Sequence, residues 1–191
     1  PTYNERENIE KIIPHIFACV PDISIVVVDD NSPDGTASIV KSLMNRYPNL
    51  SIIERPMKEG LGKAYIHAFR EILADKEVET VVMMDADLSH DPTALPELLR
   101  YSKDYDIVVG SRYVKGGDMA GWEFWRRQLS FFGNLYCRLI TRMPVRDCTG
   151  GFNAIRADVL RKINLSAIDS AGYAFEIMIS GGTARVLIRE Y

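Results

Sequence analysis

The sequence predicts an α/β fold in which a mostly parallel central sheet is flanked by helices. Short apolar runs typical of buried strands alternate along the chain with segments of helical spacing. The strand-like runs lack polar alternation, which is typical of a sheet covered on both faces and usually parallel. Two of them end in carboxylates, at Asp29-Asp30 and at Asp85-Ala86-Asp87. At 191 residues the chain fits one domain.

Hydrophobic spacing predicts the elements in chain order. Helices are expected over residues 5–20, 36–47, 61–74, 92–101, 157–163 and 173–179, and strands over 23–28, 50–53, 78–84, 106–109, 152–155 and 184–188. Pro14 is expected to bend or split the first helix. The short Ser180-Gly181-Gly182-Thr183 stretch between the last two elements suggests that residues are absent there.

Composition argues against several classes of protein. A net charge of -3 offers no basic footprint for nucleic acid. The cysteines Cys19, Cys137 and Cys148 are odd in number and form no C-x-x-C pair, which disfavours a disulfide framework or a thiolate zinc site. No apolar run reaches the ~18 to 20 residues that span a bilayer, so any membrane contact is expected to be peripheral.

The two acid clusters are expected at one edge of the sheet, because ligands of such sheets bind beyond the carboxyl ends of the strands. Two carboxylates one residue apart, Asp85 and Asp87, suit a divalent cation that is held against a phosphate. The structural alternative is that they cap the next helix or pair with arginines. Asn31 and Asp34 are expected only to shape their loop, since Ser32-Pro33-Asp34-Gly35 is good turn chemistry.

Taken in order, the motifs resemble those of the inverting family 2 glycosyltransferases of the GT-A fold, and within them the dolichyl or polyprenyl phosphate mannose synthases. The motifs are P-T-Y-N-E-x-E-N, V-V-D-D-N-S-P-D-G-T, G-L-G-x-A, M-D-A-D-L-S-H, G-S-R-Y, R-x-x-x-S and D-C-T-G-G-F. The resemblance implies one catalytic domain over residues 1–191, with a nucleotide-sugar half (1–112) and an acceptor half (113–191). A first strand before Pro1 and a later R-x-x-G-x-S-K segment are expected to be missing.

The resemblance also implies the donor site. Nucleotide contacts are expected from Pro1, Tyr3, Glu5, Val28, Asp30, Asp85 and Ala86, and Mg²⁺ or Mn²⁺ is expected at Asp87 with Ser89 as a weaker ligand. Tyr3 and Glu5 could equally belong to a helix start capped by Asn4, with Glu7 three residues on. His90 could be a further ligand, although His90 and Asp91 also fit a turn before the next helix.

The acceptor phosphate is expected at Arg112, Arg126 and Ser130, and Asp87, Arg112 and Arg126 form the expected catalytic set. Arg112 could instead pair with Asp85 or Asp87, and Arg127 could replace Arg126. A phosphate acceptor is already ionised, so no dedicated base is needed. Asp147, Gly150 and Gly151 are assigned to the sugar pocket, with Asp147 structuring it.

The segment 122–141 places apolar side chains on one helical stripe: Trp122, Trp125, Leu129, Phe132, Tyr136 and Leu139. It fits either an interfacial helix at anionic lipid or an ordinary core helix. The expected function is transfer of mannose from GDP-mannose to dolichyl or polyprenyl phosphate at the cytoplasmic face of a membrane. The alternatives are another nucleotide sugar such as UDP-glucose, another acceptor, a nucleotidyltransferase, or an inactive nucleotide-sugar binding module.

Overall fold

The computed structural model describes residues 1–111, 132–136, 139, 147, 150–165 and 188–190. Its contacts divide the chain into two compact units that interleave in sequence. The first unit comprises Pro1–Glu77 and Met84–Glu97, and the second comprises Val78–Met83 and Leu98–Tyr191. Helices and strands alternate through the described chain, which confirms the α/β class.

The elements follow the predicted order closely. They are α1 (Arg6–Cys19), β1 (Ile25–Asp29), α2 (Thr36–Met44), β2 (Leu50–Glu54), α3 (Leu61–Ile72), β3 (Thr80–Met83), a 3-10 turn (Pro92–Ala94), α4 (Leu95–Tyr101), β4 (Ile107–Val109), β5 (Asn153–Arg156), α5 (Ala157–Lys162) and β6 (Ile188–Glu190). Residues 132–136 are also helical. The helix expected over 173–179 lies outside the described residues, as do residues 184–187 of the expected last strand.

The first unit is built around a two-stranded parallel sheet. Strands β1 and β2 pair in register from Ile25 opposite Leu50 to Asp29 opposite Glu54. Helix α3 covers β1 through Ala64 and Ala68, which pack with Val28 in one buried cluster. This parallel pair places the end of β1, and the acids that follow it, at one edge of the sheet.

Helix α1 departs from two expectations. It continues through Pro14 as one helix, so the expected split is wrong. Its buried face, formed by Ile9, Ile12, Ile13, Ile16 and Phe17, supplies packing that offsets the lost backbone hydrogen bond. The Asn4 cap that the sequence also allowed is not observed, because the N-cap position is Glu5, whose own side chain forms no capping hydrogen bond.

The second unit contains a mixed sheet in the order β3-β5-β4-β6. Strand β5 runs antiparallel to both β3 and β4, while β4 and β6 are parallel. Asn153, the first residue of β5, lies opposite Met83 on one side and Val109 on the other. The last residues of β3 and β4 therefore flank the start of β5.

Candidate active site

Carboxylates from both acid clusters converge at the start of the chain, within the first unit. Pro1 lies within electrostatic range of Asp85, Asp30 and Asp29. Thr2 forms a parallel bridge with Asp29 and donates its N–H to the Val28 carbonyl at 2.7 Å. The two acid clusters thus lie near each other, as expected, although the strands that precede them, β1 and β3, belong to separate sheets and not to one.

Asp29 acts as a structural anchor. It is 1% exposed and accepts hydrogen bonds from the Thr2 hydroxyl at 3.0 Å and from the Ser32 hydroxyl at 2.6 Å. The Ser32 N–H donates to its second carboxylate oxygen at 2.9 Å. These bonds satisfy a buried charge and tie the first motif to the loop after β1.

Asp30 forms a buried ion pair with Arg55, a residue that the sequence analysis did not identify. One guanidinium nitrogen of Arg55 lies 2.9 and 3.2 Å from the two carboxylate oxygens of Asp30. The two side chains are only 3% and 7% exposed. Burial raises the pKa of Asp30, and the charge of Arg55 opposes that rise. Arg55 thus favours the ionised form of Asp30 and fixes its position.

The segment that follows β2 surrounds this pair. The second terminal nitrogen of Arg55 donates to Glu59 at 2.8 Å, and the Asn31 amide donates to the Pro56 carbonyl at 3.2 Å. The Lys58 ammonium lies 4.1 Å from the centre of the Tyr3 ring, within cation–π range. Residues 55–59 therefore contact both the first motif and the loop after β1, although the sequence predicted only a helix start nearby.

The D-A-D-L-S-H loop presents one of its two acids to solvent. Asp87 is exposed, and the Ser89 N–H donates to it at 3.0 Å. Partial burial raises the pKa of Asp87, but hydrogen bonds from Ser89 and the nearby His90 outweigh it, so the pKa is lowered. An exposed carboxylate that stays ionised suits a hard cation.

His90 folds back onto the same loop. Its Nδ1 accepts the Asp85 N–H at 3.0 Å, and its Nε2 lies 3.9 Å from an Asp85 carboxylate oxygen. Asp91 caps the 3-10 turn by accepting the Thr93 N–H at 2.9 Å. His90 and Asp91 thus have the turn role that the sequence allowed. The following 3-10 turn is capped by Asp91, and not by Asp85 or Asp87 as the structural alternative proposed.

Leu88, between Asp87 and Ser89, adopts a left-handed backbone conformation with φ of 65°. A branched apolar residue pays about 1 kcal/mol or more for this conformation. Its side chain is 46% exposed, so packing in the core does not explain it. Strain of this kind is concentrated at functional sites, where it directs the flanking side chains.

Asp34 has the loop-shaping role that its turn motif predicts. One carboxylate oxygen accepts the N–H and the hydroxyl of Thr36 at 2.9 and 2.6 Å, and the other accepts the Arg6 N–H at 3.1 Å. Thr36 in turn accepts the Glu5 N–H at 3.0 Å. One side chain therefore joins the starts of α1 and α2.

Three residues expected at the nucleotide are placed as follows. The Val28 side chain is 1% exposed and belongs to the core cluster. Glu5 accepts a hydrogen bond from the Asn8 amide at 2.7 Å. Ala86 is half-buried between the two acids. Among the described residues, no group of three His, Cys, Asp or Glu side chains forms a metal-binding cluster.

The second unit contains the residues assigned to the sugar pocket. Asp147 is 1% exposed, and a Cβ on Gly150 would lie 3.4 Å from its carboxylate and 3.3 Å from the Gly110 carbonyl. A Cβ on Gly110 would lie 2.8 Å from the Phe152 ring. Gly110 and Gly150 thus permit a close approach of these backbones. Gly151, which follows Gly150 in sequence, is half-buried. Arg112, Arg126, Arg127 and Ser130 lie outside the described residues.

Comparison with known proteins gives the family. The glycosyl transferase family 2 model matches residues 1–164. An undecaprenyl-phosphate mannosyltransferase from Micrococcus luteus is 41% identical over 97% of this chain and 76% of that protein. A polyprenol monophosphomannose synthase from Mycolicibacterium smegmatis is 42% identical over 93% of this chain and 67% of that protein.

Two solved structures share the fold at lower identity. A mannosyltransferase from Pyrobaculum calidifontis, in complex with GDP-mannose and Mn²⁺, matches with a TM-score of 0.64 and 22% identity, over 100% of this chain and 52% of that one. The glucosyl-3-phosphoglycerate synthase of Mycobacterium tuberculosis, with Mn²⁺, UDP-glucose and phosphoglyceric acid, matches with a TM-score of 0.66 and 19% identity, over 100% and 66%. This chain spans about half to two thirds of these two chains. On the family model and the identity to both bacterial relatives, the chain belongs to glycosyl transferase family 2.

Proposed function

We propose that this protein is an inverting glycosyltransferase that moves mannose from GDP-mannose to a polyprenyl phosphate. The observation that carries the proposal is the identity of 41% and 42%, over nearly all of the chain, to two proteins named for mannosyl transfer to such lipids. The ionised and exposed Asp87 in the D-A-D loop supports it, since a nucleotide-sugar enzyme must neutralise a leaving diphosphate.

The nucleotide is assigned to the first unit. Tyr3 offers a partly exposed ring, and Asp30 offers a carboxylate that its ion pair with Arg55 fixes in position. A fixed carboxylate accepts the N–H groups of a guanine edge, whereas a loose one would lose entropy on binding. Pro1, Glu5 and Asp85 complete the proposed set of nucleotide contacts. Val28 and Ala86 are included because each adjoins one of the acids in sequence.

A divalent ion fits the donor atoms of the D-A-D loop. Asp87 would hold it, with Ser89 as a weaker neutral ligand, and diphosphate oxygens and waters would fill the remaining positions. Mg²⁺ and Mn²⁺ are both acceptable to such oxygen ligands. When bound, the ion would supply charge neutralisation at the leaving diphosphate.

The acceptor phosphate is assigned to Arg112, Arg126 and Ser130. Guanidinium groups hold phosphate oxygens bidentately, which would orient the acceptor for attack on the anomeric carbon from the face opposite the leaving group. Displacement from that face inverts the sugar linkage. Because the phosphate is already ionised near neutral pH, Asp147 is left with a structuring role and not that of a base.

A lipid acceptor also requires a route to the membrane. No helix among the described residues is long and apolar enough to cross a bilayer. The described part of the 122–141 stripe nevertheless exposes Phe132, Tyr136 and Leu139 by 61%, 66% and 72%. A core helix would bury these side chains, so their exposure favours the interfacial reading, with the protein peripheral at the cytoplasmic face.

The test is transfer of radiolabelled mannose from GDP-mannose into a chloroform-extractable lipid by the full-length protein with Mn²⁺ or Mg²⁺. We expect labelling that requires the metal and falls by about two orders of magnitude or more in Asp87→Asn. Asp91→Asn is the matched control, because an asparagine retains the cap on the 3-10 turn. It should keep near wild-type labelling.

A panel of sugar nucleotides separates the alternatives. If UDP-glucose labels the lipid and GDP-mannose does not, the reaction type stands and the assigned sugar is wrong. If GDP-mannose binds but no donor labels lipid, the protein is a nucleotide-sugar binding module or uses another acceptor. Labelling that survives Asp87→Asn unchanged would refute the role given to that carboxylate.

A further inference from the structure

The second unit buries an amide of which only one end has a hydrogen-bond partner among the described residues. Asn153 is 4% exposed, and its Nδ2 donates to the Gly150 carbonyl at 2.6 Å. Its Oδ1 is buried, and no hydrogen-bond donor among the described residues reaches it. A carbonyl only accepts, so the bond to Gly150 fixes which end of the amide carries the nitrogen. Exchanging the nitrogen and oxygen of this amide would therefore not supply a partner for Oδ1, because the nitrogen must face the Gly150 carbonyl.

Such an acceptor calls for an explanation, because buried polar atoms nearly always have a partner. Asn153 opens β5 and lies opposite Met83 and Val109, the last residues of β3 and β4. In chain order these two residues lead directly to the D-A-D loop and to Gly110-Ser111-Arg112. The unsatisfied oxygen is thus at the end of the sheet from which the motif loops leave.

The residues around Asn153 have hydrogen-bonding groups of the kind that bind a polyol. Gly150 lies between Asn153, which bonds its carbonyl, and Asp147, whose carboxylate would be 3.4 Å from a Cβ at Gly150. Asp147 is 1% exposed. A buried carboxylate and a buried amide beside close-packed glycine backbone match sugar hydroxyls in hydrogen-bonding capacity.

We propose that Asn153 binds the transferred sugar, with its Oδ1 accepting a hydrogen bond from one hydroxyl of the donor hexose while its Nδ2 holds the Gly150 carbonyl. This inference rests on the proposed function, since it takes a nucleotide sugar as the ligand. A site built to pair a substrate hydroxyl rejects an analogue that lacks it, because the buried acceptor is then left without a partner. Asn153 is therefore a specificity-determining residue.

The experiment measures binding of GDP, GDP-mannose and four GDP-mannose analogues, each lacking one sugar hydroxyl, to the full-length protein by calorimetry. Wild type should bind one analogue about 5- to 100-fold more weakly than GDP-mannose. Asn153→Leu, of similar volume but with no acceptor, should lose that discrimination and bind the sensitive analogue and GDP-mannose alike. Affinity for GDP alone should not change.

Three further variants keep the test decisive. Asn153→Ala removes the same acceptor and leaves room for water, so it replaces Asn153→Leu if the latter does not fold. Asn153→Asp keeps an acceptor oxygen and should retain the discrimination. Ser102→Ala removes another buried hydroxyl of the same unit, which donates to the Leu99 carbonyl at 2.9 Å, and should leave all affinity ratios unchanged.

Two results would overturn the proposal. If Asn153→Leu and Asn153→Ala keep the wild-type ranking of analogues, then water or another part of the chain satisfies the oxygen. If they weaken GDP and every analogue equally, the role of Asn153 is structural only. Failure of wild type to bind GDP-mannose would instead remove the proposed function, and this proposal with it.

Discussion

At the residue scale, Arg55 has a structural role that the local sequence pattern does not indicate. It follows β2 directly, in a stretch where the sequence offers only a helix start and its glycines. Its guanidinium is 3% exposed and joins Asp30 to Glu59, two residues that lie 29 positions apart in the numbering. Hydrogen-bond partners of this kind are chosen by the folded chain, because only the pairing of β1 with β2 brings the ends of the two strands together.

Replacing Arg55 by methionine should destabilise the protein by about 3 to 5 kcal/mol at neutral pH, because Asp30 would remain buried as an unpaired charge. The measurement is urea-induced unfolding. The loss should be smaller in acid, where Asp30, whose pKa burial already raises, takes up a proton. Lys63→Met is the control, since Lys63 is 56% exposed and its ion pair with Glu59 is at the surface.

A loss below about 1 kcal/mol for Arg55→Met, or one equal to that of Lys63→Met, would mean that Asp30 finds another partner or water. The assignment of Asp30 as a preformed nucleotide contact would then lose its support.

Among the elements, the starts of α1 and α2 are the best predicted part of the fold. The Ser-Pro-Asp-Gly turn predicted a loop-shaping role for Asp34, and its carboxylate does bond backbone N–H groups at both helix starts. The Asn4 cap that the sequence allowed for α1 is not the one observed. The N–H groups of Glu5 and Arg6 instead donate to Thr36 and Asp34, which lie 31 and 28 positions further along the chain.

Asp34→Ala should destabilise the protein by about 1 to 2 kcal/mol at neutral pH, as expected for a lost helix cap. Burial raises the pKa of Asp34, but hydrogen bonds from Thr36 and Arg6 outweigh this effect and hold the pKa below its usual value. A carboxyl whose pKa is lowered by folding contributes stability above its unfolded pKa and loses it as pH falls through the folded value. The difference between variant and wild type should therefore shrink below about pH 4.

Urea unfolding at neutral pH and in acid measures this difference directly. Asp22→Ala removes an exposed turn carboxylate and should have little effect at either pH. A penalty for Asp34→Ala that stays constant into acid would show that the ionised carboxylate is not what joins the two helices.

At the scale of the whole molecule, the exposed part of the 122–141 stripe bears on where the enzyme works. Phe132, Tyr136 and Leu139 recur at helical spacing and are each more than half exposed. A protein that acts on a lipid phosphate needs a surface that meets the headgroup region, and apolar side chains supply the binding energy for it.

Phe132→Ser combined with Leu139→Ser should reduce binding to vesicles that contain anionic lipid by about tenfold or more, because two apolar side chains that would insert into the lipid surface are lost. Co-sedimentation of the full-length protein measures this. Met57→Ser is the control, since Met57 is equally exposed, at 61%, but lies outside the stripe. Equal binding by the double variant and wild type would favour another role for these side chains.

The sequence by itself determined the α/β class, nearly every described element, the family, and the proximity of the two acid clusters. These depend on hydrophobic periodicity and on turn residues, which are local properties of the chain. The turn role of Asp91 could be identified because its partner, the Thr93 N–H, lies two residues away.

Only the tertiary structure decided the rest. The ion pair of Arg55 with Asp30 and the antiparallel insertion of β5 between β3 and β4 both join residues that are far apart in sequence. No local pattern encodes them, because the free energy of a buried charge or amide depends on which groups the fold brings within hydrogen-bond distance. The same physics explains why Pro14 remains inside one helix, where packing of the apolar face overrides an intrinsic preference.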